Sequence, residues 1–134
     1  MVGIDSGRAL SIVLVEDNQD IRESMQELLT ELGHEVHAAS DGDAGAALIL
    51  QLEPDVAIVD IGLPGIDGYE VAARVRHRLG HERLRMVAMT GYGDASDRRR
   101  TREAGFDTHL VKPAGIDDVV RVVLPPVPQA APGS

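Results

Sequence analysis

Val56-Ala57-Ile58-Val59-Asp60-Ile61-Gly62-Leu63-Pro64-Gly65-Ile66-Asp67-Gly68 is the stretch that decides how this chain is read. It opens on a short apolar run, suited to a fully buried strand. The run stops at a carboxylate, Asp60, and gives way to a loop of Gly, Pro and Asp. Other runs stop in a comparable way. Ser11-Ile12-Val13-Leu14-Val15 runs into Glu16-Asp17, Met86-Val87-Ala88-Met89 into Thr90, and His109-Leu110-Val111 into Lys112-Pro113.

Helical patterns fill the gaps between these runs. A helix is predicted from about Gln19 to Leu32, apolar at Ile21, Met25, Leu28, Leu29 and Leu32 and stopped by Gly33. A short strand from Glu35 to Ala39 leads to an Ala- and Leu-rich helix from Asp43 to Leu52, ended by Pro54. After the strand Val56 to Val59 comes a helix from Tyr69 to Leu79, with Val71, Ala72 and Val75 inward. A strand from Arg85 to Met89 precedes a polar helix from Ser96 to Ala104, closed by Gly105. A strand from Thr108 to Val111 and a helix near Asp117 to Leu124, halted by Pro125-Pro126, complete the pattern. Residues 1–10 read as a loose leader, 11–124 as one domain and 125–134 as a disordered tail.

Strand and helix thus alternate in a (βα)5 pattern. This predicts an α/β fold with a doubly wound, parallel five-stranded sheet and right-handed crossovers. The order 2-1-3-4-5 is adopted from the flavodoxin-like class, not read from residues. In such a sheet the four endings share the carboxyl edge, where open α/β sheets bind ligands. Glu16, Asp17 and Asp60 then meet Thr90 and Lys112. Carboxylates so close repel, and a cation relieves them. A few oxygen ligands suit Mg²⁺, which keeps waters and shares its shell with phosphoryl groups. A carboxylate beside Mg²⁺, a lysine and a hydroxyl is set up to attack phosphorus.

Composition narrows the function. One domain fits 134 residues, and with one Phe, two Tyr and no Trp the core must be aliphatic. The absence of cysteine removes disulfides and thiolate metal sites. No apolar run is long enough to span a membrane and no signal pattern opens the chain, so membrane contact is not expected and a cytoplasmic location is. A net charge of -9 argues against direct nucleic-acid binding.

The chain resembles the receiver domain of bacterial two-component response regulators. The resemblance rests on Val15-Glu16-Asp17-Asn18, Val59 through Gly68, Met89-Thr90-Gly91 and Leu110-Val111-Lys112-Pro113, in order and each at a predicted strand end. Ala88 through Gly93 and Ala104 through Pro113 look most like receivers attached to hybrid sensor histidine kinases.

The resemblance implies a role for each matching residue. Asp60 is the phosphoacceptor, Glu16 and Asp17 hold Mg²⁺ (Mn²⁺ being the alternative ion), and the Gly62 backbone carbonyl completes the metal shell. Thr90 hydrogen-bonds the phosphoryl group and Lys112 pairs with one of its oxygens. Pro113 matches a proline commonly preceded by a cis bond. Two positions depart from the pattern. His109 stands where the switch aromatic is commonly Tyr or Phe, and Tyr92 is bulky beside the water that hydrolyses the acyl phosphate. The implied partner is a histidine kinase or a histidine phosphotransfer domain; the oligomeric state is left open with a monomer favoured, and the chain is read either as acting on its own or as a receiver tethered within a larger sensor kinase.

Two other functions compete. A metal-dependent phosphatase with an aspartyl nucleophile usually carries a second Asp two residues on, where this chain has Gly62. A non-phosphorylated interaction module on the same fold would be expected to lose part of the acidic set, which is complete here. An acceptor that is not itself an enzyme is therefore the expectation. Elsewhere, His77 and His81 have i, i+4 spacing but no acidic third ligand, His34 and His37 carry no signal, and Arg98-Arg99-Arg100 with Arg102 read as a solvated helix face.

Overall fold

The structure is a computed structural model and describes residues 9–80, 84–91 and 95–123. The leader, the tail, His81 and Tyr92 lie outside or largely outside these residues. The elements are β1 (Ser11–Val15), α1 (Gln19–Glu31), β2 (Glu35–Ala39), α2 (Gly42–Leu52), β3 (Val56–Asp60), α3 (Gly68–Leu79), β4 (Arg85–Thr90), α4 (Ala95–Ala104), β5 (Thr108–Val111) and α5 (Ile116–Val123). The strands form one parallel sheet in the order β2-β1-β3-β4-β5. The class and order expected from the sequence are therefore those observed.

Period-two alternation sends each strand's side chains to both faces. Ile12, Leu14, Val56, Ile58, Val87, Met89 and Leu110 pack with Met25 and Leu29 of α1 and Val119, Val122 and Val123 of α5. Val13, Val15, Ala57, Val59, Met86 and Ala88 pack on the other face with Ala46, Ile49, Val71, Ala72 and Val75 of α2 and α3, and with Phe106. The core is aliphatic apart from that phenylalanine.

The element ends follow the sequence expectation closely, with a difference that matters at two strands. Pro54 ends α2 as expected, by acting on the residue before it: the helix stops at Leu52, and Glu53 is its C-cap, left-handed at φ 46. The strands β3 and β4 each run one residue further, so Asp60 and Thr90 belong to the sheet rather than to the loops beyond it. Gly68 shows why the loop after Asp60 is so compact. A Cβ there would sit 2.6 Å from the Asp60 carbonyl oxygen, so only glycine lets the start of α3 close against the end of β3.

One buried cation was not foreseen. Arg76 is 7% exposed and lies on the inward stripe set by Ala72 and Val75. Its guanidinium donates to the carbonyls of Gly105 (2.8 Å), Gly80 (3.0 Å) and Leu84 (2.7 Å) and to Asp107 Oδ2 (2.9 Å). Asp107 Oδ2 also accepts from the Met86 N–H at 2.8 Å. Gly105 has φ +114, and a Cβ on it would stand 2.8 Å from Arg76 Cγ, so both its conformation and its bareness serve this contact. The staple ties α3 to the amino ends of β4 and β5, opposite the edge that carries the site.

Candidate functional site

The site grows from strand ends. Glu16 continues β1 through a 3.0 Å bond from its N–H to the Ala39 carbonyl, and its side chain is fully buried. Glu16, Asp60 and Lys112 extend the alternation of Leu14, Ile58 and Leu110, so the strands aim all three toward the α1 and α5 side. Thr90 extends the opposite alternation, that of Met86 and Ala88.

Lys112 is the centre of the arrangement. Its Nζ donates to Asp60 Oδ2 at 2.9 Å and makes an ion pair with Glu16 Oε1 at 2.8 Å that lacks hydrogen-bond angles. The Lys112 N–H donates to the Thr90 carbonyl at 2.8 Å, and the Lys112–Pro113 peptide is cis. Asp60 Oδ1 accepts from the Gly62 N–H at 2.9 Å, and Glu16 Oε2 accepts from the Asn18 N–H at 3.0 Å. Asp17 is exposed, yet one carboxylate oxygen each from Glu16, Asp17 and Asp60 lies within 4.8 Å of the others. Thr90 is buried, and its Oγ1 has no hydrogen-bond partner.

Electrostatics follow from this packing. Burial pushes the Glu16 carboxyl above its ordinary pKa, and the nearby charge of Asp60 adds to the rise; Lys112 and the Asn18 N–H oppose it. Burial alone would lower the Lys112 ammonium, but the close contact with Glu16 and the hydrogen bond and attraction to Asp60 outweigh it, and the pKa is raised.

The structure gathers Glu16, Asp17, Asp60, Gly62, Thr90 and Lys112 at one edge. His109 lies beside Ala88 in the β4–β5 register, partly buried on the α4 face. Burial lowers its pKa, and Arg98 and Arg121 lower it further. Two groups went unseen in the sequence. Arg22 Nη1 donates to the Glu16 carbonyl at 2.9 Å and more weakly to that of Asp17 at 3.4 Å, fixing the acidic turn from the first turn of α1. The Gly62 N–H was missed because the sequence directed attention to its carbonyl; an aspartate accepting from the N–H two residues on is a local motif that Asp-x-Gly could have suggested.

A cavity of about 510 Å³ opens beside Lys112, between α1 and the turn after β5. Ile21, Met25, Met89, Pro113 and Ala114 give it an apolar wall.

Comparison with known proteins agrees with this geometry. Residues 12–124 match the family described as the response regulator receiver domain. The transcriptional regulatory protein AfsQ1 of Streptomyces coelicolor is 36% identical over 85% of this chain and 51% of its own length. The virulence sensor protein BvgS of Bordetella pertussis is 35% identical over 92% of this chain and 11% of its own length. The chain thus spans about half of the first relative and about a tenth of the second. Among solved structures, the receiver domain of sensor histidine kinase PA1611 from Pseudomonas aeruginosa superposes with a TM-score of 0.78 at 27% identity, over 87% of this chain and 95% of that one. That receiver carries a magnesium ion coordinated in its active-site cleft.

Proposed function

The chain belongs to the response regulator receiver domain family, and on that premise we propose how its phosphorylation site works. Asp60 is the acceptor. One of its carboxylate oxygens attacks the phosphorus of a phosphohistidine, the P–O bond forms as the P–N bond breaks, and the imidazole leaves. Lys112 lies against Asp60 before the reaction and is placed to neutralise an oxygen of the incoming group. The Gly62 N–H orients the carboxylate.

The observation that carries this reading is the Thr90 hydroxyl, buried at the strand end next to Asp60's and without a partner. A buried polar group is normally hydrogen-bonded, and an exception calls for a reason. A phosphoryl oxygen on Asp60 would supply the missing acceptor.

The donor set fits a hard divalent cation. Glu16 faces Lys112 as an ion pair with one oxygen and accepts from the Asn18 N–H with the other, and it is fully buried, which leaves Asp17 and Asp60 as the carboxylates best able to hold Mg²⁺. Glu16 acts from behind them, and the Gly62 carbonyl is the proposed backbone ligand. Mn²⁺ has matching ligand preferences. When bound, the cation supplies charge neutralisation for the transferring phosphoryl group.

A histidine kinase or histidine phosphotransfer domain is the proposed donor, with the apolar cleft beside Lys112 receiving its side chains. The dianion on Asp60 then draws Thr90 and Lys112 inward and rebiases the surface around α4, β5 and α5, with His109 in the switch position. We read the chain as an acceptor rather than a turnover catalyst, because Gly62 supplies no acid or base where a phosphatase needs one. Among the described residues no helix is long and apolar enough to cross a membrane, and a monomeric cytoplasmic domain is the corresponding proposal. Incubation with Mg²⁺ and phosphoramidate, followed by intact mass, tests the scheme. The wild type gains one phosphoryl mass, and an Asp60→Asn chain that gains the same mass would refute it.

A further inference from the structure

The three carboxylates of the cluster are not held alike. Glu16 is buried between Lys112 and the Asn18 N–H, and Asp60 lies between Lys112 and the Gly62 N–H. Asp17 is exposed, and among the described residues its carboxylate has no hydrogen-bond or ion-pair partner. Its direction is therefore left to the backbone that carries it. The two dihedrals of Asp17 relate two rigid peptide planes, one holding the Glu16 carbonyl and the next holding the Asp17 carbonyl.

Both of those carbonyls meet the same side-chain nitrogen. Arg22 Nη1 donates to the Glu16 carbonyl at 2.9 Å and to the Asp17 carbonyl at 3.4 Å. Helix α1 supplies the reach. Asn18 caps it, its side chain accepting from the Ile21 N–H at 3.0 Å and its carbonyl from the Arg22 N–H at 2.9 Å. Arg22 thus stands one turn into the helix, and side chains there tilt back toward the helix N-terminus. Asp17, Asp20 and Glu23 surround Arg22 in sequence, yet among the described residues it forms no ion pair. The partly buried guanidinium serves the backbone instead.

We propose that Arg22 is a positioning residue for the divalent cation: by clamping the peptide planes on both sides of Asp17, it aims that carboxylate at the oxygens of Glu16 and Asp60 within 4.8 Å of it. The inference rests on the metal role proposed for Asp17 and Asp60. The guanidinium has two effects on a cation, and they oppose each other. As a charge it repels Mg²⁺, so its loss should tighten binding. As a clamp it keeps a ligand in place, so its loss should weaken binding. The clamp prevails, because water and salt screen the charge at this exposed turn, whereas an unclamped Asp17 must be ordered each time the metal binds.

Amide NMR titrations of the full chain with MgCl₂ test the proposal. Arg22→Met should weaken Mg²⁺ binding about threefold to tenfold, and Arg22→Lys, which keeps one donor nitrogen, should lose less. The exposed Arg78→Met on α3, which removes the same charge far from the cluster, should change the affinity less than about twofold. In an Asp17→Asn background, adding Arg22→Met should also change the affinity less than about twofold, because the carboxylate that it aims is gone. In phosphorylation by phosphoramidate, the loss should lie in the Mg²⁺ concentration for half-maximal rate and not in the maximal rate, since Arg22 touches no reacting atom. The metal-free amide spectra report whether each variant is folded, and Arg22→Lys carries the comparison if Arg22→Met is not. Unchanged or tighter Mg²⁺ binding by the folded variant, or an equal loss with and without the Asp17 carboxylate, would overturn the proposal and leave the metal site standing. Wild-type Mg²⁺ affinity in Asp17→Asn alone would overturn the metal reading and this proposal with it.

Discussion

Replacing Lys112 with alanine removes the one cation that the described residues place inside the carboxylate cluster. Each carboxylate contact, at 2.8 and 2.9 Å, corresponds to about 6 kcal/mol of gross attraction at an effective dielectric of about 20. Desolvation of the ammonium offsets much of that. Breaking a buried pair from one side costs about 3–5 kcal/mol. The Lys112 side chain is 23% exposed while that of Glu16 is fully buried, which points to the lower end, about 3 kcal/mol at pH 7. For a domain of this size that is a fall of about 10 °C in Tm. The sign of the pH dependence follows from Glu16. Its folded pKa already lies above the ordinary 4.5 and rises further without Lys112. Protonation then favours the folded variant, so the penalty is full above the folded pKa and shrinks as pH falls toward the ordinary value. Urea unfolding of wild type and variant at about pH 7 and about pH 5 measures this directly. Mg²⁺ should restore the variant more than it stabilises the wild type, because it replaces a lost cation in a more negative cluster. A loss below about 1 kcal/mol that is flat with pH would show that Lys112 does not hold these carboxylates.

Other perturbations separate the parts of the molecule. Arg76→Met takes the guanidinium from three carbonyls and leaves the exposed Asp107 carboxylate with the Met86 N–H alone, and should cost about 2–3 kcal/mol by urea unfolding, with Mg²⁺ affinity unchanged. Asp17→Asn should weaken Mg²⁺ binding by calorimetry and raise the metal-free Tm, since it removes a repelling charge from the cluster; unchanged affinity would exclude Asp17 as a ligand. His109 has a folded pKa below its ordinary 6.5, so the stability it permits is full above that value and is lost as pH falls through it. His109→Phe should flatten that part of the stability profile, and in NMR of the beryllofluoride-bound domain it should abolish any pH-dependent change in the inward population at position 109.

The legible parts of this fold are those set by strong local signals. Apolar runs ending in Asp60, Thr90 and Lys112 named the strands, and a parallel sheet forces their ends onto one edge. What escaped was set by contacts between distant segments. Lys112 reads in sequence as a partner for a phosphoryl group, and only the three-dimensional arrangement shows it standing between Glu16 and Asp60. Arg22 sits on a helix whose sequence carries no sign of its bond to the Glu16 carbonyl. Arg76 went unnoticed although it stands beside Ala72 and Val75 on an apolar helical stripe, and its partners come from loops that no local pattern could pair with it. Glu53 was hidden because proline is the more conspicuous signal, although the restriction acts on the residue before it.

Chemical mapping of the phosphorylated residue is the most direct measurement. The chain is treated with Mg²⁺ and phosphoramidate, the acyl phosphate is trapped with borohydride, and the digested protein is sequenced by mass spectrometry. An acyl phosphate on Asp60 is reduced to homoserine at position 60 alone, with Glu16 and Asp17 unchanged. Reduction at another carboxylate, or none in a chain that still takes up a phosphoryl group, would contradict the assignment of Asp60 as the acceptor.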